Sequence, residues 1–460
     1  MSAESEGAIS YLPTPGLSYD PGSEVYWDQA ALDAEITRVF EVCHGCRMCF
    51  KYCDSFKSLF RILDEDHDGD VRKVTLAERD EVLDACFQCK LCEVECPYTP
   101  HLGHEFQLDF PALVHRQRAQ RHRSSGSSFG DRVLADPDGA GRMARRSLGL
   151  ANALNKVPLH RVLMEKVLGV HRDKLLPPFA STTFERQADS AGRIASEPGG
   201  EAVLFPTCYV QNNEPEIGQH ALEVLDANQV DVRCAKGLAC CGMPAWEQGD
   251  LPSVQKQARL NLDALEPFVD AGAQVLVINP TCSLMFREEY PKLVAPEDRE
   301  RAEKLAAATR DVGQYLWSIR KEERFNTDFK SRPEQEVAYH APCHLRAQRV
   351  GFKGRDLVKK VPGTDPETVM QCCGHDGTFA MKLDGYEASK LVGKKAFDGM
   401  KATDRDLWVT DCPLAALQFQ QHAGVRPIHP MTLLARAYRE DGFPSTQDDP
   451  PVTQAEGSDS

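Results

Sequence analysis

Two runs of cysteine between residues 43 and 97 have the type and spacing to hold metal. The first is Cys43, Cys46, Cys49 and Cys53, the second Cys86, Cys89, Cys92 and Cys96, each spaced C-x-x-C-x-x-C-x-x-x-C, with Pro97 closing the second. Three thiolates two residues apart wrap one face of an iron–sulfur cube, and the fourth, after a longer gap, points away to the partner run's cluster. This assigns Cys43, Cys46, Cys49 and Cys96 to one [4Fe-4S] cluster and Cys86, Cys89, Cys92 and Cys53 to the other. Structural zinc also takes four thiolates, but its ligands come as separated C-x-x-C pairs, so iron–sulfur is the stronger reading. Asp54 follows Cys53 where Pro97 follows Cys96, which leaves 55–63 able to continue as a helix.

The remaining cysteines form a repeat. One unit has Cys208, the pair Cys240 and Cys241 followed by Gly242, then Cys282; the other has Cys343, the pair Cys372 and Cys373 followed by Gly374, then Cys412. The intervals are 32 and 41 residues in the first unit and 29 and 39 in the second, an internal duplication. Adjacent cysteines do not readily bond to each other, but both can reach one multinuclear metal centre, and the following glycine allows the close approach this demands. Buried structural cysteines are the competing reading. Cys234 stands outside all four groups and reads as a small buried apolar residue, with a fifth ligand to the first unit as the alternative.

These sites need elements to hold them. Leu32, Ile36, Val39 and Phe40 recur at helical spacing and lead to Cys43, and Thr75 with Glu78 has capping-box spacing that starts a helix leading to Cys86. From residue 202 the pattern alternates. Strands are expected at 203–205, 232–234, 275–278, 337–339 and 407–409, and helices at 253–269, 388–401 and 414–422. Cys208, Cys282, Cys343 and Cys412 each fall just past an expected strand, at the carboxyl edge where open α/β sheets gather ligands. The fold class is therefore α+β multidomain: a helical double-cluster ferredoxin-like domain followed by a duplicated α/β C-C-G domain. The expected boundaries are a disordered arm at 1–24, the ferredoxin-like domain at 25–110, a basic helical connector at 111–195, C-C-G units at 196–330 and 331–440, and a disordered tail at 441–460.

The connector carries 13 Lys and Arg against 5 Asp and Glu over 111–175, reversing a whole-chain net charge of -15. Leu159, Val162, Leu163, Val167 and Leu168 share one helical face, so this segment can lie on an anionic membrane or dock an acidic partner. The simpler expectation is a linker helix packed on the next unit. Asp64, Asp66, Asp68, Gly69 and Val71 mimic a calcium loop that fails at Thr75, where a bidentate Glu is required, leaving a solvated acidic turn.

Overall acidity argues against nucleic-acid binding. The 17 cysteines are clustered, and no signal peptide precedes them, so the chain is expected in the cytoplasm. No apolar run approaches the roughly 20 residues of a membrane span, so contact with the inner face of the cell membrane would be peripheral. No phosphate-binding glycine motif follows a strand, which places substrate oxidation on another polypeptide.

The C-C-G units resemble the cysteine-rich domains in the B subunit of heterodisulfide reductase. With the N-terminal double-cluster unit, the chain resembles the C subunit of anaerobic glycerol-3-phosphate dehydrogenase and the iron–sulfur subunits of lactate and glycolate oxidases. The resemblance also rests on 240–244 with Glu247 and Gly249, on 281–290, 340–344 and 410–413, and on the closing run from His429 to Leu434. It implies an electron-transfer subunit working between a flavoprotein dehydrogenase and a quinone or other acceptor, with one further iron–sulfur cluster per C-C-G unit. The alternative is a reductase acting on a disulfide, peroxide or quinone at the C-C-G centres, with His340, His344 and His375 as candidate proton donors. The family's full unit has five cysteines and holds a noncubane cluster. Here each unit has four, the missing partner falling at Asn279 or Met285 and at Val409 or Ala415, which is enough for a conventional centre.

Overall fold

The computed structural model describes residues 8–195 and 197–443. Residues 444–460 of the expected tail and 1–7 of the expected arm lie outside the described residues. The chain is a mixed helix and sheet protein, a helical unit around the two cysteine runs followed by two units built on parallel sheets.

In the helical unit, Gln29–Cys46 starts on Asp28, whose carboxylate accepts the Ala31 N–H, and ends where Arg47 turns left-handed. Leu32, Ile36, Val39 and Phe40 bury on its inner side. Helix Asp54–Arg61 begins directly after Cys53, with Asp54 favourably placed in its first turn. The Thr75 hydroxyl accepts the Glu78 N–H while the Glu78 carboxylate accepts the Thr75 N–H, a capping box that starts Leu76–Asp84. Asp64 is held by Arg47 and His44.

Two expectations change here. Residues 8–23 lie on the helical unit and are not a loose arm: the Thr14 N–H donates to Glu35, and the buried Arg116 guanidinium donates to the carbonyls of Gly16, Val25 and Tyr26. A buried guanidinium must satisfy five N–H donors, and this segment supplies one acceptor at Gly16 while the turn that follows it supplies those at Val25, Tyr26 and Asp28. The segment 111–195 is not one connector. Helix Phe110–Ser125 belongs to the helical unit, with Phe110, Leu113 and Val114 in its core, and Arg121 pairs with Asp80 and Asp84. Helices Phe129–Leu134, Pro137–Arg146, Leu150–Leu154 and Pro158–Leu168 follow. The last is inside out: Arg161 and Glu165 are buried, whereas Leu159, Leu163 and Val167 are exposed.

The first sheet joins β1 (Ala202–Phe205), β2 (Val232–Cys234), β3 (Gln274–Val277) and β4 (Thr309–Asp311) in the order β2-β1-β3-β4. The second joins β5 (Val337–His340), β6 (Glu367–Val369) and β7 (Leu407–Thr410) in the order β6-β5-β7. All pairings are parallel, and the shared β-order of the first three strands reproduces the duplication. β1 and β5 are buried along their whole length, as central parallel strands covered on both faces must be. β4 and β6 were not among the expected strands; both are three residues long and rich in polar side chains, so no apolar run marks them. Leu204, Leu276, Tyr339 and Val409 share one core with Leu433 and Leu434 of helix Pro430–Tyr438, so the two sheet units are fused across a common interior.

The helical unit is fastened to this body by Lys90, which lies between Cys89 and Leu91 in a left-handed conformation. Its buried ammonium pairs with Glu289, with Glu288 at 3.7 Å and Glu93 at 3.8 Å. Burial alone would lower the Lys90 pKa and raise that of Glu289. The attraction outweighs it in both, raising Lys90 and holding Glu289 to about 2. Removing one member of such a pair strands the other charge. Lys90→Met is expected to lower stability by about 3–5 kcal/mol in anaerobic denaturation, with Lys90→Met/Glu289→Leu recovering part of the loss. Because the folded pKa of Glu289 lies below its ordinary 4.5, this contribution is full above about pH 4.5 and fades as the pH falls toward 2.

Candidate metal centres

The chain reverses direction repeatedly to bring each cysteine run around a cavity. Cys43 and Cys46 close helix Gln29–Cys46, Cys53 caps Asp54–Arg61, and Cys96 ends Leu91–Glu95. Positive φ at Arg47, Gln88 and Lys90 gives the tight turns between successive thiols. Cys43, Cys46, Cys49 and Cys96 line a cavity of about 450 Å³, reached at its edge by Cys92 and walled by Val42, Phe56, Leu108 and Phe110. Cys53, Cys86, Cys89 and Cys92 line a second of about 290 Å³. Each cavity is thus lined by thiols of both runs, with Cys92 facing both. Apolar walls and sulfur-only donors suit an iron–sulfur cluster, and all the described cysteines are free of disulfides.

In the sheet units, Cys208, Cys282, Cys343 and Cys412 follow β1, β3, β5 and β7 at the first turns of short helices or as their caps. At Cys412 the N–H groups of Ala415 and Leu414 favour the thiolate, although burial raises its pKa to about 12. Glycine is required after the second C-C pair: Gly374 has φ 73°, and a Cβ would lie 2.1 Å from the Ser389 carbonyl. Cys208, Cys240, Cys241 and Cys282 of the first unit and Cys343, Cys373 and Cys412 of the second line one common cavity of about 710 Å³. Cys208 and Cys241 both donate to Cys240, pulling Cys240 well below the usual thiol range and pushing its two neighbours up.

Cys372 does not line that cavity. It opens into a separate pocket with Lys51, Tyr52 and Arg346, where it lies beside both Cys343 and Cys89. Cys89 belongs to the helical unit, and Cys343 and Cys372 pack against that unit's core, so thiols of the two units lie side by side. Cys234 lies in β2 as part of the apolar core, does not line the common cavity, and shares a smaller pocket with Cys208. The positions lacking a fifth cysteine are otherwise employed: Asn279 caps Pro280–Leu284, while Met285, Val409 and Ala415 are fully buried apolar residues.

Of the three histidines, His340 is tied to Thr410 and the Gln371 carbonyl, and burial lowers its pKa to about 4. His344 joins all three units. Its Nε2 faces the Gln88 carbonyl at 3.1 Å and must donate, and its Nδ1 then accepts from the Thr281 hydroxyl at 2.9 Å. Gln88 lies between Cys86 and Cys89, and Thr281 precedes Cys282. His375 faces the common cavity with its Nδ1 unpartnered, and burial lowers its pKa far below the usual range. Three acids that spacing did not single out also gather here. Asp138, from helix Pro137–Arg146, accepts the Cys240 N–H at 2.8 Å. The buried Glu247 accepts from Thr378, and Asp376 stands against Cys343. Of the three, Glu247 was already among the residues that carry the resemblance, and the position of Asp376 two residues after the second C-C-G glycine was the signal available for it.

The sequence matches the cysteine-rich CCG domain family over residues 202–287 and 337–420, and the 4Fe-4S dicluster domain family over 42–100. The anaerobic glycerol-3-phosphate dehydrogenase C subunit of Escherichia coli K12 is 27% identical over 71% of this chain and 81% of its own length. Lactate utilization protein A of Shouchella clausii is 31% identical over 45% of this chain and 86% of its own length. The B subunit of the CoM/CoB fumarate reductase of Methanothermobacter marburgensis is 26% identical over 56% of this chain and 51% of its own length.

His344→Ala leaves the Gln88 carbonyl and the Thr281 hydroxyl buried without their partner, at an expected cost of about 1–3 kcal/mol read as a lower unfolding midpoint. Cys234→Ala is expected to leave the iron content and visible spectrum unchanged.

Proposed function

We propose, for a chain that belongs to the family of 4Fe-4S dicluster and cysteine-rich CCG-domain proteins that includes lactate utilization protein A, a relay of single electrons through four metal centres in series. The chain is an iron–sulfur electron-transfer subunit of an oxidoreductase. The ligand sets are Cys43, Cys46, Cys49 and Cys96; Cys86, Cys89, Cys92 and Cys53; Cys343, Cys372, Cys373 and Cys412; and Cys208, Cys240, Cys241 and Cys282. Iron–sulfur clusters held there take up and release one electron at a time. Two [4Fe-4S] clusters and one further cluster in each C-C-G unit make the series. The domains follow the same division: 25–125 for the dicluster unit, 196–330 and 331–440 for the two C-C-G units.

The closeness of Cys89 and Cys372 carries this reading, because Cys343 and Cys372 of the second C-C-G unit pack against the core that holds the second ferredoxin-type site. From there the path continues across the common cavity to the first C-C-G unit. Cys343, Cys373 and Cys412 face the first unit's thiols across the common cavity, and His344 links Gln88 to Thr281 by hydrogen bonds. Both Lys90 and Arg118 brace the same junction, Arg118 donating to the carbonyls of Cys86 and Glu247. The relatives' names speak of dehydrogenase and reductase subunits, which supports a flavoprotein or other redox subunit as donor and a quinone as an acceptor.

No helix among the described residues is long and apolar enough to cross a membrane. The outward face of 129–168 offers another means of attachment. Met143, Leu148, Leu159 and Leu163 are exposed, Leu148 at 95% and Leu159 at 79%. The same segment carries exposed Arg132, Arg142, Arg146, Lys156 and Lys166, with Asp136 the one exposed carboxylate in it. Apolar side chains on a segment rich in cations fit an anionic lipid surface at the inner face of the membrane, where the chain would act in the cytoplasm.

Anaerobic iron and sulfide quantification is expected to exceed the roughly eight irons of two cubane clusters and to approach about sixteen if every centre is cubane. Cys-to-Ala changes confined to one C-C-G unit should remove one increment with its EPR signal; a count of about eight in the native chain would sink the four-centre series. In vesicle flotation, the chain should bind phosphatidylglycerol vesicles over neutral ones. Leu159→Asp/Leu163→Asp should weaken that binding at least about tenfold, since each exposed leucine is worth about 1.5 kcal/mol or more on burial.

A further inference from the structure

Asp376 is a carboxylate placed among sulfur ligands. It lies three residues after Cys373, its side chain is 1% exposed, and neither oxygen has a hydrogen-bond partner among the described residues. A buried carboxylate with nothing to satisfy it is costly, and its surroundings make it more so: Cys343 and Cys89 and the carboxylate of Glu247 all oppose its charge. The nearest cationic group in that field, Arg118, is already occupied by the carbonyls of Cys86 and Glu247. His344 does not relieve it, because its Nε2 is 3.6 Å from Asp376 and donates to the Gln88 carbonyl at 3.1 Å.

The ligand atoms of Cys343, His344 and Asp376 lie within 4.8 Å of one another, a separation that one metal ion can span. Both ring nitrogens of His344 are committed to hydrogen bonds, so the Cys343 thiol and the Asp376 carboxylate remain as the free donors of this group. Asp376 also lines the common cavity together with Cys343, Cys373 and Cys412, while Cys372 opens to the other side, toward Cys89. On the cavity side, the second unit therefore presents three thiols and one carboxylate, where the first presents four thiols.

We propose that Asp376 is an oxygen ligand to iron of the metal centre in the second C-C-G unit. This rests on the reading that the C-C-G units hold iron–sulfur centres. The duplicated first unit has no counterpart: two residues after its glycine stands Pro244 in place of Asp376. The two C-C-G centres are therefore chemically unlike, one ligated by sulfur alone and the other by sulfur and oxygen. A hard carboxylate binds iron more loosely than a thiolate in a soft-ligand site, so the second centre presents its most exchangeable iron position toward the common cavity.

The test compares full-length wild type, Asp376→Asn and Asp376→Cys, each purified anaerobically, by iron content, EPR and ⁵⁷Fe Mössbauer spectroscopy. Asp376→Asn is expected to change the g-values and isomer shift of one centre or to lose that centre's iron, leaving the other signals as internal controls for folding. Asp376→Cys is expected to retain the iron and move the altered site to an all-thiolate signature. If Asp376→Asn keeps the wild-type iron, g-values and isomer shifts, the ligation is refuted; a shift in midpoint potential alone also refutes it, because a neighbouring charge suffices for that. A wild type with only the dicluster iron would instead remove the C-C-G centre, and the ligation with it.

Discussion

His344 donates to the Gln88 carbonyl and accepts from the Thr281 hydroxyl, so a single imidazole of the second C-C-G unit ties the dicluster loop to the loop bearing Cys282. The arrangement works only for the neutral ring, which has one donor and one acceptor, and burial holds the His344 pKa to about 4. Around this node the three cysteine-bearing regions approach closely enough for Cys89 and Cys372 to lie side by side. The outlying contacts serve the same closure: Lys90 reaches Glu289 on one side, and Arg118 reaches Cys86 and Glu247 on the other. A relay needs its centres held at short, fixed separation, and buried hydrogen bonds between units provide that better than a flexible linker.

Gathering this many thiols in one interior raises an electrostatic difficulty, since every cluster ligand must carry negative charge. The fold meets it locally. Cys412 caps helix Pro413–Ala423, where the N–H groups of Leu414 and Ala415 face its thiol. The acids Asp138, Glu247 and Asp376 run the other way, and burial, first of all, raises the pKa of each and favours its neutral form. Glu247 and Asp138 hold hydrogen bonds from backbone and side chains, whereas Asp376 has none, which is what separates it from its neighbours.

The segment after residue 110 shows how one compositional feature can serve two opposite ends. Its first basic residues turn inward, Arg116 onto the carbonyls of 16–26 and Arg121 onto Asp80 and Asp84. Its later ones stay in solvent on the same stretch as exposed Leu148, Leu159 and Leu163. Charge counting treats both as the same basic stretch. Only the direction of each side chain distinguishes an internal brace from a surface that fits anionic lipid.

The sequence alone was enough for much of the architecture because its signals are local. Ligand spacing, the Thr75 and Glu78 box, and the apolar runs of β1, β3, β5 and β7 each depend on a few consecutive residues, and the duplicated C-C-G spacing identified the paired units. What lay beyond it depends on residues distant in the chain. Asp138 reaches the Cys240 N–H, Lys90 reaches Glu289, and the Ser- and Pro-rich segment at 8–23 is ordered by Arg116, which lies about a hundred positions later. The apolar stripe at 159–167 had correct helical periodicity but gave no sign of facing outward, because periodicity defines a face and not what lies against it. Spacing within a motif names the chemistry, while the approach of separate loops decides which centres touch, which acid goes unpartnered, and which surface remains uncovered.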